Sequence, residues 1–516
     1  MASPTPAHAR LWYQGRFQVK IALALGLAAF ADFLFFNLWP GSVLGLFALA
    51  WTMATVVAHP ALWRDRRARI LIALAVLMAG ALAVNASPLA WTLFWSALAM
   101  AVLVPRSQLF GDAWQWLRRL LAHAITSIMG LLIDWVRIQR LKGRGSRFNL
   151  VRHLPTLILP LAGGLIFLLL FSIANPLINE ILSRVDLPRF DQNTGLRMLF
   201  WGLVLVTVWG SLRPRRLRIR IAALQQGQYL PMPGVTLASV TLSLIVFNAL
   251  FALQNGLDLA VMAGGVALPK GMNYADYAHQ GAYPLIATAL LAGGFVLLTT
   301  RQGSPMAKSQ LVRSLVIGWT AQNLVLVAFS IIRTLNYVEA YSLTVMRIAA
   351  LLWMGLVGVG LILITVRLLA GKSSAWLVNA NVLTALALLG GCSLVDLGEW
   401  AARYNVANAR QVGGKGVELD LCYAQRLGTS ALVPLARLEP RLAGQPGLQA
   451  QVSLLRRTIE TRVQAQQDDW HRWQWHDAVR LSRLPTGRDL RPAQADMCDT
   501  AEPVVTQTTT PIDAED

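Results

Sequence analysis

Acidic residues are scarce in this chain of 516. Asp and Glu number 26 against 46 Lys and Arg, and charged residues make up only 14% of the total. Soluble domains run nearer a quarter charged, so a string of soluble globular domains is excluded. Cysteine is scarcer still. Cys392, Cys422 and Cys498 are the whole set, and no two have metal-ligand spacing, which argues against a disulfide scaffold or a zinc ribbon. Catalytic and nucleotide signatures are missing too: there is no GxxxxGK[ST], GxSxG, HExxH or kinase set. Among seven histidines the nearest pair on one predicted helix is His471 and His476, five apart, a poor spacing for one helical face. No metal and no cofactor is expected.

What is present is apolar. Hydrophobic residues reach 55%, and they come in blocks of about 20, the length that crosses a bilayer's hydrocarbon core. Helical spans are predicted at 21–38, 41–58, 69–86, 88–104, 154–176, 195–212, 234–254, 281–300, 313–332, 344–368 and 375–396, eleven in all. Pro40 and Pro88 mark the two tightest turns. No cleavable signal peptide is read at the N-terminus.

The formal net charge of +20 divides unevenly. Residues 398–516 carry 14 basic and 15 acidic residues, so residues 1–397 hold a net +21. Basicity confined to the membrane part points to cytoplasmic loops and not to nucleic acid. Every second loop is basic: the N-terminal tail, 59–68, 105–153, 213–233, 301–313 and 369–374. The intervening loops are mixed or uncharged. This alternation predicts a cytoplasmic N-terminus and, with an odd span count, an extracytoplasmic C-terminal domain.

Within 112–140 the residues Leu117, Leu121, Ala124, Ile128, Leu131, Leu132 and Trp135 recur at helical spacing. Arg118, Arg119, His123, Ser127, Asp134 and Arg137 take the other face. This predicts an amphipathic helix on the cytoplasmic membrane surface. Beyond residue 398 the pattern predicts a helix pair over 418–443 broken at Gly428-Thr429, then a long helix or two over 447–482 ending in Trp470, Trp473 and Trp475. Composition predicts disorder from about 493. The organisation expected is therefore 1–104 with four spans, 105–153 basic and amphipathic, 154–397 with seven spans, 398–492 a helical domain, and 493–516 a tail.

Ionisable residues within spans are the usual pointers to function. Asp32 in the first span reads as a proton or cation site, or as the structural partner of an arginine or a backbone group elsewhere in the bundle. A denser polar set is expected at the outer face: Tyr277 before the eighth span, Arg333, Tyr337 and Tyr341 every four residues, Arg347 near the start of the tenth span, Asp396 as its expected partner, and Arg403. Arginines and tyrosines together suit an anionic ligand such as a phosphate-bearing lipid or polymer. The structural alternative is an aromatic belt with internal ion pairs.

The same stretches carry a resemblance. Tyr274–Gly281, the string Arg333…Tyr337…Tyr341-Ser342-Leu343-Thr344…Arg347, Asp396 with Ala402-Arg403-Tyr404-Asn405, Leu419-Asp420-Leu421…Tyr423…Leu427, and Asp469-Trp470…Trp473 are similar to the bacterial multi-pass membrane family catalogued as domain of unknown function 4153/4173. The resemblance covers most of 154–484, and it implies an integral inner-membrane protein without supplying an activity. Ser342 stands where the family usually has Gly, and Ser393-Leu394 where an Asn-containing turn usually precedes the Asp.

The fold class expected is all-α: a polytopic transmembrane bundle of about eleven spans, with an interfacial amphipathic helix and an extracytoplasmic helical domain. The functional expectation is a non-enzymatic transporter-like, sensory or envelope-assembly component. The runner-up is a polymerase or ligase acting on lipid-linked polymer at the outer face, with His279, Glu339, Arg333 and Arg347 as its candidates. Candidate partners are the lipid bilayer, an anionic lipid or envelope polymer, and another membrane protein; nucleic acid is not expected.

Overall fold

The computed structural model describes residues 7–38, 40–107, 111–142, 164, 192–215, 236–262, 294–295, 309–485, 491, 493 and 496–498. Every regular element among them is a helix. Two compact units are present, Met1–Ala223 and Leu224–Asp516. They follow packing, whereas the five expected segments follow composition. The expected spans at 154–176 and 281–300 lie outside the described residues, apart from Gly164 and residues 294–295. Eight helices among the described residues are long and apolar enough to cross a membrane, and Val43–Ala58 is a shorter apolar helix. The chain is a multi-pass membrane protein.

The first unit contains α1 (Ala7–Phe35), α2 (Val43–Ala58), α3 (Arg66–Val84), α4 (Pro88–Leu103), α5 (Ala113–Lys142) and α6 (Gln192–Leu212). Local chemistry sets the starts. Asp65 caps α3 by accepting from the Arg67 amide at 2.9 Å, and Ser87 caps α4 with Pro88 in its first turn. Helices α2 and α3 approach closely at Gly45, where a Cβ would fall 2.6 Å from the Ala83 backbone nitrogen. The core is aromatic: Trp51 is fully buried, 5.6 Å from Phe94 and 6.1 Å from Phe47 between ring centroids. Its indole donates to Ser211 Oγ at 2.7 Å, which satisfies a polar group that lipid could not.

Helix directions follow from contacts along their lengths. Phe17 meets Trp209 and Phe35 meets Phe200, so α1 and α6 are antiparallel. Thr55 reaches Ser211 and His59 reaches the Leu212 carbonyl, so α2 and α6 end together and run parallel.

The amphipathic stretch forms the single helix α5, with its faces turned in an informative way. His123, Ser127 and Asp134 are buried, while Leu117, Leu121, Ile125 and Ile128 are about half exposed. The polar face packs inward and the apolar face looks out. The indole of Trp209 on α6 donates to Asp134 at 3.1 Å, and Arg213 pairs with Asp134 at 2.9 Å, with Arg215 as a second ion partner.

The second unit contains α7 (Leu237–Met262), α8 (Gln310–Tyr341), α9 (Val345–Leu369), α10 (Ser374–Leu394) and the helical domain α11 (Leu397–Asn408), α12 (Leu421–Leu427), α13 (Leu432–Leu438), α14 (Pro446–Gln467) and α15 (Trp475–Ser482). Ser309, Thr344, Ser373, Asp396 and Asp420 cap α8 to α12 in turn. Helix α8 runs about two and a half turns beyond its expected end at residue 332.

Asn248 on α7 donates to the Leu315 carbonyl at 3.1 Å, and Asn255, seven residues on, donates to that of Gln322 at 3.0 Å. Equal steps in the same direction mean that α7 and α8 are parallel. In the helical domain Leu432, Leu435, Val452 and Leu455 form a core at most 2% exposed. Arg456 is fully buried there, paired with Glu439 at 2.7 Å and Glu460 at 2.5 Å. The Gly428-Thr429 break is observed as a turn of 3₁₀ helix between α12 and α13. Residues 496–498 of the expected tail are held in place: Cys498 is disulfide-bonded to Cys422, and the Met497 amide donates to Gln425 at 2.6 Å.

Candidate functional site

The chain turns from α8 to α9 through Ser342, Leu343 and Thr344, three residues held from several sides. Ser342 has φ +70° and ψ 168°, a conformation open to glycine and costly for other residues. Its carbonyl accepts from the Arg347 guanidinium, which also reaches the Tyr341 carbonyl at 2.5 Å. Arg347 lies 4.0 Å over the ring of Tyr337, and Tyr337 packs on Tyr341 at 5.1 Å. Among the described residues, this cation–π and carbonyl cradle holds the guanidinium without a carboxylate.

The helical domain grips the same turn. Asn405 on α11 makes two bonds to Leu343, accepting from its amide at 2.7 Å and donating to its carbonyl at 2.9 Å. The Tyr423 hydroxyl on α12 accepts from the Val345 amide at 2.9 Å, and burial holds its phenol above the ordinary tyrosine value. Together these satisfy backbone groups that the turn would otherwise leave unpaired. Beside the turn opens a cavity of about 180 Å³, lined among others by Glu339, Ser342, Asn405 and Lys415.

The expected site residues fall into place as follows. Arg333, Tyr337, Tyr341 and Arg347 lie along the end of α8 and the start of α9, as their spacing predicts. Arg333 is ion-paired with Asp258 of α7, both nearly buried. Asp396 does not partner Arg347 as expected. It caps α11 through the Gly398 amide at 2.9 Å and pairs with Arg480 of α15, which also holds Asp477 at 2.6 Å and Thr429 at 2.8 Å. A carboxylate two residues beyond α10 meets the domain's own arginine, while Arg347 is already engaged by the turn. Arg403 is half exposed and pairs with Glu399 one helical turn away, at 2.5 Å. Tyr277 and His279 lie outside the described residues. Asp32 has an arginine partner: Arg197 of α6 binds both carboxylate oxygens, with Nε at 2.8 and 3.0 Å.

Four partners of these residues and of the turn lie outside the expected site. Asp258 lies beyond the expected span 234–254, but α7 extends through it. Arg197 sits near the start of a predicted span, where an arginine facing the Asp32 helix was a usable signal. Asn405 and Tyr423 were visible only as residues carrying the resemblance. Among the described residues no cluster of His, Cys, Asp and Glu could hold a metal ion.

A family described as Domain of unknown function (DUF4153) matches residues 47–438. No curated protein and no solved structure matches the chain.

Proposed function

We propose that the chain, which belongs to this DUF4153 family, is a non-enzymatic envelope component of a bacterial inner membrane. In this reading it senses or assembles at the outer face, through a helical domain coupled to its last spans. One observation carries it: the grip of Asn405 and Tyr423 on the Leu343–Val345 backbone. A force or ligand acting on the domain would pass through that grip into α8 and α9. The Arg/Tyr residues then form the joint, and the cavity beside Glu339 and Lys415 is where an outer-face ligand would bear on it.

The orientation proposed is N-terminus cytoplasmic and C-terminal domain extracytoplasmic, with eleven spans. Three observations support it. The basic loops alternate. The Cys422–Cys498 disulfide suits an oxidising compartment. The helix directions agree as well: α6 runs parallel to α2, and α8 parallel to α7, as one further crossing before each of α6 and α8 requires. For the polymerase or ligase reading, the arginines it would need are turned to protein groups, Arg333 to Asp258 and Arg347 to Tyr337.

The test is hydrogen exchange on the protein in nanodiscs. Asn405→Ala should speed exchange of the Leu343 amide at least tenfold while the domain core stays protected. Unchanged exchange would mean that the grip does not hold the turn. In parallel, an Arg347→Ala protein that folds and accumulates but alters envelope polymers would favour the enzyme reading instead.

A further inference from the structure

Helix α11 is fixed at both ends to the outer ends of membrane helices. Its cap Asp396 follows Leu394, the last residue of α10, by two positions. Nine residues on, Asn405 is bonded to the turn between α8 and α9. Nine helical residues rise only about 14 Å, so the helix spans the gap between two span ends and runs along the membrane face. The level of that face is marked independently by exposed apolar residues that continue to the helix ends: Leu394 on α10, Tyr341 on α8 and Met346 on α9.

The faces of α11 are distinct. Ala402 and Val406 enter the domain core. Trp400, Arg403 and Ala407 lie three and four residues apart on the opposite side and are exposed, Trp400 to 56%. Helix α15 adds to this surface. Its Arg480 is paired with Asp396, and His476 lies within electrostatic reach of both Asp396 and Glu399. Trp475 at its start is 53% exposed, and Trp470, just before it, is 49% exposed. An exposed indole is expensive in water and favourable at the boundary of headgroup and acyl chain, where its ring is buried and its N–H is met.

We infer that Trp400, Arg403, Trp470 and Trp475 form a lipid-interface surface that rests in the headgroup layer of the leaflet into which α10 emerges. The occupant is the phospholipid of that same bilayer, with Arg403 placed to meet phosphate oxygens. The domain would thus be pinned to the membrane by its own underside as well as by α10. This rests on the proposed crossing of the membrane by α10.

The test is the depth of single spin labels, read by power saturation with oxygen and a nickel chelate. The full chain carries Cys392→Ser and is held in nanodiscs of phosphatidylethanolamine and phosphatidylglycerol. Trp400→Cys and Trp475→Cys should each report the headgroup–acyl boundary. Gln451→Cys, exposed near the start of α14 and about 24 Å of helix before the end that leads to the tryptophan segment, should report water. Labels at 400 and 475 as aqueous as the one at 451 would overturn the inference. Val382→Cys, on the exposed side of mid-α10, separates the two claims. At hydrocarbon depth it leaves the inference to stand or fall on residues 400 and 475. An aqueous reading removes the span, and the inference with it.

Discussion

Replacing Ser342 with glycine should make the protein more stable. Ser342 sits at φ +70° and ψ 168°. A residue with a Cβ pays about 1–3 kcal/mol to sit in that region, whereas glycine enters it freely. Glycine also loosens the unfolded chain, which returns about 0.5–1 kcal/mol. The net gain from Ser342→Gly is about 1 kcal/mol, or a rise of roughly 1–2 °C in Tm for a cooperative unit of about 300 residues. The side-chain hydroxyl is not part of the gain, because Arg347 is bound through the Ser342 carbonyl, which glycine keeps. Ser342→Ala is therefore the control: it removes the hydroxyl, retains the Cβ, and should give no rise. The assay is thermal denaturation of purified protein in detergent, followed by size-exclusion chromatography of what remains folded. A lower Tm for Ser342→Gly, or an equal rise for Ser342→Ala, would refute the argument from backbone conformation. The grip of Asn405 gives a reason why serine is tolerated here, since two bonds to Leu343 hold the neighbouring residue in place.

Arg456→Ala leaves Glu439 and Glu460 facing a buried gap, and should cost about 3–5 kcal/mol, seen as rapid proteolysis of the domain. Cys422→Ser should cost about 2–4 kcal/mol, and alkylation of the denatured native protein without reductant should reach only Cys392. His59 and His123 are held neutral, each lowered from 6.5 to about 4, mainly by burial. Because the folded values lie below the unfolded ones, their stabilisation is present above pH 6.5 and is lost as pH falls toward 4. Each contributes up to about 2–3 kcal/mol. His59→Gln, which keeps a donor for the Leu212 carbonyl but cannot charge, should flatten that acid limb in pH-dependent unfolding, and an unchanged limb would remove His59 from the account.

Much of the membrane part was legible in the sequence because the bilayer imposes a single length and a single polarity on every crossing. Nine of the eleven expected spans coincide with apolar helices, and the stretch 112–140 is the helix α5. The sequence pattern also separated the two faces of α5, yet not which face turned inward; that depends on Asp134 meeting Trp209 and Arg213 from elsewhere in the chain. The candidate site was legible in its local part and obscure in its long-range part. Tyr337, Tyr341 and Arg347 meet because helical spacing and a tight turn bring them together. Asp396 finds Arg480 across 84 residues, a distance at which charge and spacing say nothing about pairing. Asn405 was equally hidden, since a lone polar residue on a short helix carries no sign that it will complete another segment's backbone.

The central claim is an outward domain joined to the last spans, and its orientation can be read directly with two alkaline phosphatase fusions. A fusion after about residue 410, beyond α11 and on the proposed outer side, should be active. A fusion after about residue 220, in the basic loop that follows α6, should be inactive. Activity at 220 and none at 410 would contradict that orientation.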